Sequence, residues 1–325
     1  MARATERIEI IELVRGLAAL AVALFHFANQ LSSEISVFLT AWGWLGVDAF
    51  FIISGIVIPY SLHGLNYRLS MFPRFMAKRI VRLEPPYVIS ILLTIVLWHV
   101  STMVPGFQGS DPDYSLGQIL SHLFYLTPLL GYDWLGPVYW TLAYEFVFYI
   151  TMGLSFSWLI GRTVLLTMAA AGVALGVVFL VFGSLDYRVL EFLVGFLIMR
   201  WYVLERERLL TAAMILATLF AIYWFGGQKT FIVVVLTVAT VWALRGVTID
   251  RRLMWLGTVS YSLYLTHVLT GGRVVNLMKR FVQDPALDLL VIGAATAVAL
   301  AFSWVFWRLV EVPALRHSRR IRIGG

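Results

Sequence analysis

Long apolar runs alternate with short polar clusters along this chain of 325 residues. The segments Val164 to Phe182 and Leu209 to Trp224 contain no charge. Their apolar positions are continuous rather than confined to one helical face, the pattern of a helix surrounded largely by lipid. Read this way, the chain predicts an all-α, polytopic bundle with about ten spans, at 10–31, 42–62, 84–104, 137–159, 162–182, 187–203, 208–226, 229–246, 253–275 and 286–309. The connection 105–136 holds Asp111, Asp113 and Asp133 but no Lys or Arg. Its apolar stretch, Ile119 to Leu130, is too short to cross and reads as a re-entrant or interfacial helix. Pro85 and Pro86 predict the boundary of the third span. Residues 1–315 form one transmembrane domain, and 316–325 a short, basic, disordered tail.

Composition strengthens this picture. Hydrophobic residues make up 60% of the chain, charged residues only 13%, and the mean hydropathy is +0.85, a balance unsuited to a water-exposed surface. The net charge of +7 comes from basic residues at the ends of apolar runs. With the N-terminus placed inside, all but Arg188, Lys229, Arg273, Lys279 and Arg280 of the 25 Lys and Arg residues fall on the inner side. That bias predicts cytoplasmic N- and C-termini and an even number of spans. No basic stripe with stacking aromatics is present, which argues against nucleic acid as a partner. The first apolar run follows Glu6, Glu9 and Glu12 and contains Arg15, unlike a cleaved signal peptide. Cysteine is absent, and the six histidines show no HxxxH or HExxH spacing, so no metal site is expected. No glycine-rich nucleotide motif accompanies a soluble α/β unit.

Ionisable residues inside apolar spans are costly and mark function by default. Arg15 and His26 lie eleven residues apart in the first span. They therefore share one helix face within about 20° and are separated by about 16 Å along the axis. Asp48, in GVDAFFIISG, and Glu145, in WTLAYEFVFY, fall at depths that place them level with His26. Such a level suits proton handling, although the plainer reading of Asp48 is a brace near Gly46. His267 in the ninth span rivals His26 and neighbours Tyr264 at i, i+3; its plainer reading is an interhelical hydrogen bond. Arg74, Lys78, Arg79 and Arg82 cluster before the third span. On spacing alone they read first as a topology signal, and second as a phosphate site.

Taken together, five segments resemble the acyltransferase-3 family of membrane-bound O-acyltransferases over nearly the whole chain. They are Arg15-x10-His26, GVDAFFIISG with Ser54, Arg79-x2-Arg82, WTLAYEFVFY with Trp140 and Glu145, and GTVSYSLYLTH with Tyr261, Tyr264 and His267. The resemblance implies a multi-pass protein of the bacterial inner membrane that takes an acyl group, most often acetyl, from cytoplasmic acyl-CoA. The acceptor it implies is a hydroxyl of a carbohydrate: a polysaccharide, a lipid-linked sugar or a glycolipid. No permanently bound cofactor is expected. Arg15, Arg79 and Arg82 would hold the CoA phosphates, with Ser54, Tyr139 and Trp140 along the donor path. His26 would act as general base or transient acyl carrier, oriented by Glu145 or Asp48. The competing class is a proton-coupled transporter using His26, Asp48 and Glu145 as a relay, disfavoured by the absence of repeated halves.

Overall fold

The computed structural model describes residues 9–105, 111–183, 186–204, 207–244 and 246–323; Glu6 lies outside them. Among the described residues the chain is helical with no strands. The helices are α1 (Glu9–Ala28), α2 (Glu34–Trp42), α3 (Gly46–Gly64), α4 (Phe72–Thr102), α5 (Leu116–Leu123), α6 (Tyr139–Leu159), α7 (Val164–Phe182), α8 (Arg188–Val203), α9 (Arg208–Ala243), α10 (Arg251–Thr258), α11 (Ser260–Met278), α12 (Asp288–Phe306) and α13 (Val312–Arg320). Among the described residues six helical stretches are long and apolar enough to cross a bilayer: α1, α2 with α3, α4, α6, α9, and α12 through α13. The chain is thus a multi-pass membrane protein.

Between helices in lipid, tight packing replaces the hydrophobic effect as the main attraction. An aromatic stack forms the centre: Phe192 of α8 lies 4.6 Å from Phe51 of α3 and 4.3 Å from Phe148 of α6. Beside it, α3 and α8 cross backbone to backbone at Gly55 and Gly195. At the other side of the bundle α1 packs on α11, which packs on α12. Asp288 at the start of α12 accepts from the backbone N–H groups of Ser32 (3.0 Å) and Ser33 (2.8 Å), tying down the chain that leads into α2.

Four elements differ from the sequence expectations. Pro85 and Pro86 do not end a helix, because α4 runs unbroken from Phe72 through both. Membrane helices tolerate proline where neighbours or local adjustment satisfy the disturbed backbone; the prolines remove the donors to the Val81 and Arg82 carbonyls, and at the adjacent Leu83 carbonyl the Tyr261 hydroxyl of α11 donates at 2.9 Å. The expected interfacial helix over 119–130 is shorter and earlier, ending at Leu123. Beyond it the chain is stapled by His122, whose Nε2 accepts from the Leu135 N–H at 3.0 Å; burial holds this imidazole below its usual pKa and so neutral. The spans expected at 208–226 and 229–246 form two arms of α9, broken at Gly227 (φ 84°, ψ 173°), a conformation open to glycine. The tail is helical to Arg320 rather than disordered, because Ala314 and Ser318, one turn apart, seat α13 against α4.

One buried arginine locks the turn between α6 and α7. Arg200 is fully buried, and its guanidinium donates to the Arg162 carbonyl (2.6 Å) and pairs with Glu207 (2.9 Å). Removing one partner of such a pair leaves an uncompensated buried charge. Glu207→Ala is therefore expected to lower the thermal midpoint in detergent, and Arg200→Met/Glu207→Ala to recover part of the loss. A double variant no more stable than the single one argues that the pair is not what holds this turn.

Candidate active site

The eleven-residue interval on α1 delivers its two ionisable groups to different surroundings. At the Arg15 end, α4 brings Arg79 and Arg82 alongside, so that Arg82 feels the charges of both Arg15 and Arg79, with Glu311 as a nearby carboxylate. Arg79 is held by stacking, its guanidinium 5.4 Å from the Phe75 ring and 5.3 Å from the Tyr149 ring. Three guanidinium groups from two helices converge there.

Arg15 also lines a cavity of about 50 Å³ with Ser54, Thr141, Glu145, Tyr261 and Tyr264. Glu145 anchors it: its Oε1 accepts from the Ser54 hydroxyl at 3.2 Å and from the Tyr149 hydroxyl. A smaller void of about 10 Å³ on the other side of Glu145 is lined by Arg79, Glu84 and Tyr125. One turn before Glu145 on α6, Thr141 hydrogen-bonds the Tyr264 hydroxyl at 2.8 Å. A polar path therefore runs from the arginines past Glu145 to Tyr264.

At the other end of the interval, His26 meets His267 of α11, with ring centroids 5.1 Å apart. His267 is fully buried, and its Nδ1 donates to the Leu263 carbonyl at 3.0 Å. That bond sets the tautomer, leaving the lone pair on Nε2, which has no hydrogen-bond partner among the described residues. Tyr264 lies next to it, 6.1 Å between ring centroids. The two histidines, alternatives for one role in the sequence, form a pair.

Other expected members are elsewhere. Asp48 is fully buried in a second cluster, with Arg188 Nε 3.6 Å from its Oδ1 and Glu191 and Thr230 close by. The level shared by His26, Asp48 and Glu145 is not assembled, because Asp48 turns toward α8 and Glu145 toward Ser54 and Tyr149. Trp140 lies under the same Arg188, 5.0 Å from ring to guanidinium. Tyr139 is bonded to Thr94 at 2.8 Å and faces a different cavity from Ser54. Glu191 escaped the sequence reading, and Arg188 entered it only as an outer-side basic residue, although Glu191 carries the signal that marked Asp48 and Glu145, an acidic residue inside an apolar run.

A family model described as an acyltransferase domain matches residues 8–308. A curated relative, acyltransferase MdmB of Streptomyces mycarofaciens, is 24% identical over 368 residues, covering 95% of this chain and 92% of the relative. No solved structure matches it.

Proposed function

This chain belongs to the acyltransferase-3 family, and from that premise we propose that it moves an acyl group, acetyl in the simplest case, from acyl-CoA to a hydroxyl of a carbohydrate. One observation carries the reading: α1 presents Arg15 to Arg79 and Arg82 at one end of a single face and His26 to His267 at the other. The guanidinium groups bind the CoA phosphates through charge-assisted hydrogen bonds. The pantetheine arm follows the path past Ser54 and Glu145, and its length suits the separation of about 16 Å between the two ends. At the histidine end, the His26 imidazole takes the proton of the acceptor hydroxyl as its oxygen attacks the thioester carbonyl. The C–S bond then breaks, and the proton passes to the departing thiolate, giving CoA thiol and an ester. In the covalent variant, imidazole nitrogen attacks first and the acyl-imidazole is cleaved by the hydroxyl.

In the same reading the protein resides in a bacterial cytoplasmic membrane with both termini in the cytoplasm. The tenfold crossing is completed by α7, α8 and α11 and by counting the two arms of α9 separately, which the break at Gly227 supports. The transporter relay loses support because Asp48 and Glu145 are engaged apart from His26.

Acetyl-CoA titrations test the donor end. Arg79→Ala/Arg82→Ala is expected to raise KM for acetyl-CoA by at least about tenfold, from hydrogen bonds to charged groups worth about 1.5–3 kcal/mol each, with a smaller change in kcat. An unchanged KM removes the phosphate-binding role from these arginines.

A further inference from the structure

A cavity of about 230 Å³ is roomier than the one that holds Arg15. It lies among α4, α6 and α11, and its lining includes Thr94, Trp98, Pro137, Tyr139, Leu269 and Arg273. The two cavities follow one another along the same pair of helices. At the start of α6, Tyr139 and the preceding Val138 belong to the larger one, and Leu142 and Glu145 further along α6 to the smaller. On α11, Leu265 to Arg273 belong to the larger one and Tyr261 to the smaller. The Thr141–Tyr264 hydrogen bond sits at the boundary on both helices. The site is thus divided into an arginine-cluster compartment and a second compartment, with one hydroxyl pair between them.

Arg273 gives the second compartment its chemistry. It is half-buried on an apolar helix, yet among the described residues no carboxylate lies within ion-pair distance of it. Its hydrogen bonds go to the Leu269 carbonyl (3.0 Å) and the Ser101 hydroxyl (3.4 Å). A guanidinium has five N–H donors, so several remain for a ligand. A cation kept in such surroundings without a countercharge is costly, and an anionic ligand would supply the missing partner bidentately. Trp98 and Tyr139 add ring faces to the same wall.

We infer that this compartment receives the acyl acceptor and that Arg273 binds an acidic group, carboxylate or phosphate, on it. The inference rests on the acyl-transfer reading and narrows its acceptor to acidic carbohydrates. Arg273 lies six residues beyond His267, about 9 Å along the helix axis. The same six residues also set Arg273 about 120° around α11 from His267, so the acidic group it binds lies on a part of the acceptor set apart from the reacting hydroxyl.

The test uses the full-length purified protein with three probes: methyl glucuronide for the carboxylate, glucose 1-phosphate for the phosphate, and neutral methyl glucoside. Binding is measured by calorimetry, and acetylated product by mass spectrometry after addition of acetyl-CoA. At least one charged probe is expected to bind tenfold or more tighter than the neutral one. That preference should disappear in Arg273→Gln and survive in part in Arg273→Lys, with unaltered acetyl-CoA affinity reporting an intact fold. Which probe is preferred separates a uronic acid from a sugar phosphate. Equal binding of charged and neutral probes, no binding of either charged probe, or a preference that survives Arg273→Gln overturns the inference. If the wild-type protein also fails to bind and cleave acetyl-CoA, the acyl-transfer reading falls with it; if it cleaves acetyl-CoA, only the acceptor inference falls.

Discussion

His26→Ala is expected to reduce CoA release from acetyl-CoA by about 10²–10⁴-fold, the range typical of a positioned general base, while KM for the donor changes little. The donor phosphates are assigned to the arginine end, about 16 Å away along α1, so the substitution touches chemistry and not phosphate binding. His267→Ala separates the members of the pair. With Nδ1 committed to the Leu263 carbonyl, the His267 Nε2 lone pair is suited to accept a proton or hydrogen bond from its neighbour. A smaller loss than in His26→Ala fits a positioning role for His267. Release unaffected by His26→Ala would move the base to His267.

Gly195→Leu is expected to have the largest effect on folding. A Cβ at Gly195 overlaps the Ile52 carbonyl oxygen and lies 2.8 Å from the Gly55 Cα, and one at Gly55 overlaps the Phe192 carbonyl oxygen. Both close approaches are to backbone, which cannot swing aside as a side-chain tip can, so α3 and α8 must separate. Overpacking of this kind costs about 1–3 kcal/mol or more, and separation also loosens the Phe51–Phe192 stack. Activity falls with stability, because Ser54, next to Gly55, donates to Glu145 from α3. The expected readout is a lower thermal midpoint and a smaller monodisperse fraction on size-exclusion chromatography, with Gly195→Ala intermediate. A leucine variant that melts with the wild type shows that the crossing has slack the backbone contacts do not suggest.

Much of the membrane character was legible along the chain because lipid imposes a one-dimensional constraint: a spanning helix must be apolar over about twenty residues. The Arg15–His26 spacing was equally legible, since helical periodicity alone aligns residues eleven apart. The proline pair in α4 and the order of α13 were not. A helix that runs through a proline pair is permitted by its membrane surroundings, and the order of α13 depends on the face of α4 beside it.

The sequence by itself determined the helical class, the candidate ionisable residues and the family resemblance, because periodicity, hydropathy and motif order are local properties. Only the tertiary structure decided which of those residues meet. It joined His26 to His267, gave Glu145 to Ser54 and Tyr149, sent Asp48 to Arg188, and put Arg273 in a compartment of its own. Depth along a helix can be counted from sequence. The rotation of each helix, and hence the neighbour its side chains face, is set by packing contacts such as the Gly55–Gly195 crossing.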